Sequence, residues 1–329
     1  MWRRIFLRQA SRGIRFRIFS RLFHHASFPG NSPPRDQILS PAARFHRIGL
    51  IAKPGASDDL RATVARAGAF LERQGLEVCL DHHAAEALGQ TDAKSVAQLG
   101  RLCDLAVIIG GDGTFLHAAR ELGGHSIPLV GVNLGRLGFL VDISPDQMCD
   151  TLARMLEGHY HEEQRFMLAC RVGSGPACLA LNDVVLHKWN TARMIEFETW
   201  LNDSFIDTQR SDGLIVSTPT GSTAYALSGG GPLLSPALDA TALVPICPHT
   251  LSNRPIVVHS RNRIRLRVCG RTDPGHVRVT CDGQVSLEIG RDEEVQIDRH
   301  PEPLRLLHPP GHDHFEILRT KLGWGGKQA

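Results

Sequence analysis

The sequence predicts an α/β domain of Rossmann-like type followed by a mainly β, sandwich-like domain. Three observations predict it. From about Arg47, short apolar runs alternate with amphipathic stretches of helical period, which is the pattern of a parallel sheet. After about Val141 the segments become short, partly alternating and separated by Gly, Asn, Asp and Pro, as in an antiparallel β domain. The final run, "FEILRTKLGW", returns to a helical pattern. With 329 residues, 42% hydrophobic and 22% charged, the chain is long enough for one large or two ordinary domains with cores of their own.

The first 44 residues stand apart. They hold nine arginines against one acid, a charge of +8, which leaves −5 for the rest of a chain whose formal total is +3. Arg4, Arg8, Arg12 and Arg15 fall at helical spacing, with Ile14, Ile18 and Leu22 on another face, as in a transit peptide or a membrane-surface helix. Composition alone fits equally a disordered extension or upstream sequence included by a wrong start codon, and a disordered extension is the expectation. Arg interrupts every apolar stretch that could serve a secretory signal. "GNSPPRDQILSP" then reads as a linker. The mildly acidic body argues against nucleic acid as a partner, and no window approaches the 18 apolar residues of a membrane span. Eight cysteines without CxxC spacing read as reduced thiols of a cytosolic protein.

In the body, "RIGLIAK" (47–53) is a strand. Ser57 is an N-cap followed by acids, apolar residues recur at Leu60, Val64, Ala67 and Leu71, and Gly75 stops the helix. "LEVCL", "LAVII" and "IPLVGVN" are further strands, the last following a helix expected to start at about Phe115. In the second domain "FMLACRV", "ALNDVVLHK", "RMIEFETWLND", "RPIVVHS", "RIRLRVCG", "HVRVTCDGQ" and "EEVQIDR" are strand candidates, with one or two helices among them.

A strand running into Gly110, Gly111 and Gly113 ahead of a helix aims backbone N–H groups at an anion, although the glycines alone fit an ordinary tight turn as well. The loop is neither a Walker A loop nor GxGxxG. Asp112 in its middle would repel phosphate unless it holds a metal or accepts a proton from an attacking hydroxyl, so it argues for chemistry. Leu214 to Val216 read as a strand leading into a hydroxyl-rich loop, Thr218 to Thr223; Tyr225 offers a flat face for a base and Gly229 to Gly231 admit close backbone approach. Asn182 and Asp183 can grip ribose hydroxyls or an adenine edge, or form a turn. "HYHEE" and "HDHFE" have HxH spacing without HExxH or a cysteine cluster and are expected as solvated turns or loops, so no protein metal site is expected. A GxSxG nucleophile elbow is absent.

Taken together, "GGDGT" (110–114), "GVNLGRLGFL" (131–140), "LNDVVLHK" (181–188), "DGLIVSTPTGSTAYALSGGGP" (212–232), "PICPHTLSNRPIVV" (245–258), "CDGQ" (281–284) and "KLGW" (321–324) resemble the bacterial NAD kinases, in order from about Arg47 to the end. GGDG is shared with diacylglycerol and sphingosine kinases; the TPTGSTAY stretch, the Asn-Asp pair and GVNxGxLGFL are specific. The resemblance implies an α/β nucleotide domain (45–142), a mainly β domain (143–305) and a C-terminal tail (306–329) packing back on the first. It implies transfer of the γ-phosphoryl of ATP to the 2′-hydroxyl of the adenosine ribose of NAD, giving NADP, with Mg²⁺ or a similar divalent ion and a homodimer or homotetramer sharing sites. By position, Asp112 is the implied proton acceptor, beside Gly113. Asn182 and Asp183 are implied ribose and adenine contacts, and Thr223, Ala224, Tyr225, Ala226, Leu227 and Ser228 the pocket lining. Arg193, Asp212 and Gln284 are implied further contacts, with Arg193 standing where some relatives have His. Arg210 is similar to the Arg of the ATP-dependent, NAD-preferring branch. A lipid kinase would need an apolar entry that only the extension offers, and a non-catalytic dinucleotide sensor would have little use for a carboxylate beside phosphate.

Overall fold

The computed structural model describes residues 45–135, 138–250 and 252–324; the basic extension and Arg136 of the GVNLGRLGFL run lie outside them. The chain begins with β1 (Arg47–Ala52), α1 (Asp58–Arg73) and β2 (Glu77–Leu80). Ser57 caps α1 by accepting the Leu60 N–H, and Asp58 and Asp59 oppose the positive end of the helix dipole. Leu60, Val64, Ala67 and Leu71 are buried, and the chain leaves through Gly75 at φ +79°. Two short helices that the apolar pattern did not announce follow, α2 (His82–Leu88) and α3 (Val96–Leu102), started by the side chains of Asp81 and Ser95. Next come β3 (Leu105–Gly110), α4 (Asp112–Leu122), β4 (Leu129–Asn133), α5 (Met148–Leu156) and β5 (His161–Arg165).

The middle of the chain is β6 (Leu168–Val172), β7 (Cys178–Ala180), β8 (Asp183–Lys188), β9 (Ile195–Leu201), β10 (Ser204–Ser211) and β11 (Gly213–Ser217). The hydroxyl-rich run expected as a loop is wound instead into a 3₁₀ turn, Thr220–Thr223, and a single helical turn, α6 (Tyr225–Ser228). Then come β12 (Ala240–Ile246), β13 (Ile256–His259), β14 (Ile264–Val268), β15 (Val277–Cys281), β16 (Val285–Glu288) and β17 (Glu294–Arg299). They form two antiparallel six-stranded sheets, ordered β10-β9-β14-β17-β6-β7 and β13-β12-β11-β8-β15-β16. Phe197, Ile264 and Ile297 of the first and Leu186, Val216 and Val279 of the second share one buried core, which makes the pair a sandwich. On the outer face of the second sheet, Ala226 and Leu234 close over Val185, Ile215 and Val244.

The chain then returns as β18 (Leu304–His308) and ends in α7 (His314–Leu322). The Rossmann-like sheet reads β2-β1-β3-β4-β18-β5, parallel except for the β18–β5 pair, with apolar cores on both faces. Residues 143–165 therefore contribute α5 and β5 to this first layer, although the expected boundary placed them in the β domain, and the returning segment enters the layer as a strand from Leu304.

Candidate active site

The fully buried strand β3 delivers the chain to Gly110 and Gly111 at the carboxyl edge of the sheet, where open α/β folds bind ligands. The helix starts at Asp112, three residues before the expected Phe115, because Gly111 serves as an N-cap without a side chain. A Cβ at Gly110 would lie 2.5 Å from Thr114 Oγ1, while one at Gly111 would meet nothing within 4 Å, so the approach to the first turn is open. Asp112 thus sits on the positive end of α4. Its Oδ2 accepts the Phe139 N–H at 2.9 Å and its Oδ1 the Leu140 N–H at 3.1 Å. The preceding Gly138 has no room for a side chain, since a Cβ would fall 2.0 Å from Asp112 Oδ1. The GVNLGRLGFL run is in part the holder of this carboxylate.

A second holder is the turn joining β15 to β16. Asp282 and Gly283 both have positive φ, 52° and 63°, as a tight Asp-Gly hairpin requires. The Asp282 carboxylate accepts the N–H groups of Leu181 (3.1 Å), Asn182 (2.8 Å) and Asp183 (3.2 Å), and pairs with Arg120 of α4 at 3.2 Å. Both of these side chains are buried. Arg120 also donates to Gln284 Oε1 at 2.6 Å, and Gln284 Nε2 donates to the Gly113 carbonyl at 2.8 Å. One clamp therefore brings Gly113, Asn182, Asp183 and Gln284 together. Arg120 and Asp282 were not singled out in the sequence; the "DG" between two strand candidates was the signal available for Asp282.

Beside the clamp lies a cavity of about 470 Å³ lined by residues that include Asn182, Asp183, Asp212, Ala224, Tyr225 and Asp282, together with His187 and Lys188, which sequence reasoning also left aside. Asp183 is 4% exposed, and burial, then the charge of Asp282, pushes its carboxyl up to about 7. Lys188 and Asp212 pair at 2.8 Å on the wall. Tyr225 leaves its ring half exposed, as a stacking surface needs. The Asn182 carbonyl accepts the Thr218 N–H at 2.9 Å, and a Cβ at Gly221 would come within 2.1 Å of it, so the 3₁₀ turn can pack here only with glycine.

The expected residues are not all brought together. Ala226 turns into the core, and Thr223 donates its hydroxyl to the Thr220 carbonyl. Leu227 and Ser228 complete α6 but do not line the cavity. Arg193, just before β9, and Arg210, on β10, are exposed and likewise outside its lining. His161 of "HYHEE" lies in a strand, β5, and not in a turn or loop; His312 of "HDHFE" lies in the loop before α7 as expected, but its side chain is buried against Asp142 and not solvated. All eight cysteines are free thiols, and among the described residues no helix is long and apolar enough to cross a membrane.

A Rossmann-like layer and an antiparallel sandwich clamped around a GGDG aspartate define a two-domain nucleotide kinase. The chain belongs to the NAD kinase family: residues 48–160 match the ATP-NAD kinase N-terminal domain and residues 181–308 the ATP-NAD kinase C-terminal domain. It is 45% identical over 295 residues to an NAD kinase of Pseudomonas putida (strain W619), covering 86% of this chain and 97% of that one. An NAD kinase of Shewanella halifaxensis (strain HAW-EB4) is 46% identical over 288 residues, with 86% and 93% covered. Among solved structures, an NAD kinase from Archaeoglobus fulgidus in complex with ATP superposes with a TM-score of 0.70 at 28% identity, covering 85% of this chain and all of that one. Yeast NADH kinase complexed with NADH shares the fold, with a TM-score of 0.79 at 22% identity over 87% of this chain and 90% of that one.

Proposed function

We propose that this chain transfers the γ-phosphoryl group of ATP to the 2′-hydroxyl of the adenosine ribose of NAD, giving NADP, with Asp112 as the proton acceptor. The observation that carries the reading is the clamp Gly113–Gln284–Arg120–Asp282, which ties the first turn of α4 to Asn182 and Asp183. Phosphoryl transfer is chiefly positioning and neutralisation of charge, and the open first turn of α4 offers N–H groups to phosphate.

In this reading Asn182 and Asp183 hold the dinucleotide so that the 2′-hydroxyl reaches Asp112, and Tyr225 packs on a base. The hydroxyl O–H breaks while the oxygen bonds to phosphorus, and the bond from phosphorus to the β–γ bridging oxygen breaks. The proton goes to Asp112. With each oxygen already accepting an N–H, that carboxylate orients the hydroxyl first and takes its proton late. Among the described residues the aspartates form no all-protein cage, and an ion of the Mg²⁺ kind would be held by Asp112 together with the substrate's phosphates. Such an ion would supply neutralisation of the phosphate charge. The exposure of Arg193 and Arg210 outside the cavity lining is accounted for by a homodimer or homotetramer in which these side chains reach a neighbour's dinucleotide. Incubating the full chain, and a version beginning at Arg44, with NAD and either ATP or polyphosphate tests the reading: NADP appears with ATP in both, and dinucleotide binding without NADP formation contradicts it.

A further inference from the structure

A buried cluster of Asp142, His308 and His312 contains none of the residues assigned above to phosphoryl transfer. Nδ1 of His308 and Nδ1 of His312 converge on one oxygen, Asp142 Oδ2, at 2.9 and 2.8 Å. The two rings stack, 3.8 Å between centroids at 21°. Their side chains are only 2% and 4% exposed, and both Nε2 atoms are buried without a hydrogen-bond partner among the described residues. Glu163 Oε2 lies 3.7 Å from His308 Nε2.

Hydrogen bonding alone leaves this arrangement poorly satisfied. Two neutral rings crowd two N–H donors onto one oxygen and bury two lone pairs with nothing to donate to them; two imidazolium rings would stack like charges in the interior. An imidazolium at His308 beside a neutral His312 still crowds two donors onto Asp142 Oδ2. A cation at the point where the three atoms converge relieves the crowding at Asp142 Oδ2. It uses the Nδ1 lone pairs and the carboxylate, and it makes His308 Nε2 an N–H facing Glu163, the outer carboxylate that orients a ligating imidazole, while His312 Nε2 keeps no partner among the described residues. We propose that Asp142, His308 and His312 bind one divalent transition-metal ion of the Zn²⁺ kind, with water completing the coordination.

Zinc lies about 2.0–2.1 Å from such ligands. A tetrahedral ion therefore separates ligand atoms by roughly 3.3 Å, and the triad needs to open by about 0.5 Å, within reach of small side-chain rotations. Two nitrogens and one oxygen favour zinc, cobalt or nickel over magnesium or calcium. The ion would fasten β18 and the approach to α7 to residue 142, two residues beyond the Leu140 N–H that holds Asp112. On its other side Glu163 pairs with Arg165, which donates to Thr220 Oγ1 at 3.1 Å in the turn before α6. The site thus braces the holders on both sides of the cleft.

The test strips the full-length protein with a chelator and titrates it by calorimetry with ZnCl₂, with MgCl₂ as the hard-cation control. Co²⁺ absorption gives the ligand signature. Expected are one Zn²⁺ per chain bound at least tenfold more tightly by wild type than by His312→Phe, a visible Co²⁺ band weakened in that variant, and a thermal midpoint raised by Zn²⁺ only in wild type. Equal zinc affinity in the two proteins, or a Co²⁺ spectrum unchanged by the substitution, overturns the proposal. Should His312→Phe fail to fold, Asp142→Asn, which keeps the shape of the side chain, supplies the same comparison.

Discussion

Asp112 accepts two backbone N–H bonds, and on the proposed function they account for a negative charge at the mouth of a phosphate site. The bonds from Phe139 and Leu140, with the dipole of α4, hold the carboxylate in one orientation and offset its repulsion of phosphate. Gly138→Ala tests that orientation, because its Cβ would press on Asp112 Oδ1. Turnover is expected to fall by about 100-fold or more while the NAD dissociation constant stays within several-fold, as a displaced catalytic group requires; steady-state kinetics with a binding titration reads both. Asp183 is the second informative residue. Its folded pKa of about 7 lies above the unfolded value near 3.8, so ionisation in the fold costs stability. That cost is absent below about pH 4, grows between about 4 and 7, and is full above, where it is on the order of 4 kcal/mol as an upper bound. Asp183→Asn should therefore melt higher than wild type at pH 8, with the difference shrinking towards pH 4; a constant difference across that range contradicts the assignment.

Elements differ in how far they could be read from sequence. β1, α1 and β3 were legible because capping, period and burial all point the same way: Ser57, the 60–64–67–71 stripe and the continuous apolar run of β3 are local signals that tertiary structure then uses. α2 and α3 were not, since each is seven residues long, too short to show a period. Their signals are caps, Asp81 for one and the Ser95–Gln98 capping box for the other. The start of α4 was displaced because a glycine cap leaves no side-chain mark. At the site, the Asn-Asp pair and the hydroxyl-rich run were visible as residue types, yet what places them is Asp282, a hundred residues away along the chain from Asn182, and only the folded hairpin discloses that contact. Replacing Asp282 by Ala leaves the Arg120 charge unpaired and three N–H groups without their acceptor. Breaking one partner of such a buried pair costs about 3–5 kcal/mol, and urea unfolding should show a loss of that size. A loss below about 1 kcal/mol would mean that the clamp does not hold the two halves.

At the scale of the molecule, the chain leaves its first layer after β5, builds the sandwich and comes back as β18 between β4 and β5. This return explains why a sequence divided by texture misplaced residues 143–165: β5 is polar and partly exposed, and it belongs to the first sheet only because β18 pairs with it. The same return sets the two halves of the candidate site against each other. α4 supplies Asp112 and Gly113 from the first layer, the sandwich supplies Asn182, Asp183 and Tyr225, and Arg120 with Asp282 joins them. On the proposed function, this junction presents a ribose hydroxyl to Asp112 in line with a phosphoryl donor. This is tested most directly by single-turnover NADP formation in Asp112→Asn, alongside its NAD affinity. The account predicts a rate lower by about 100- to 10,000-fold with NAD binding within a few-fold of wild type; near wild-type turnover with normal NAD binding would contradict it.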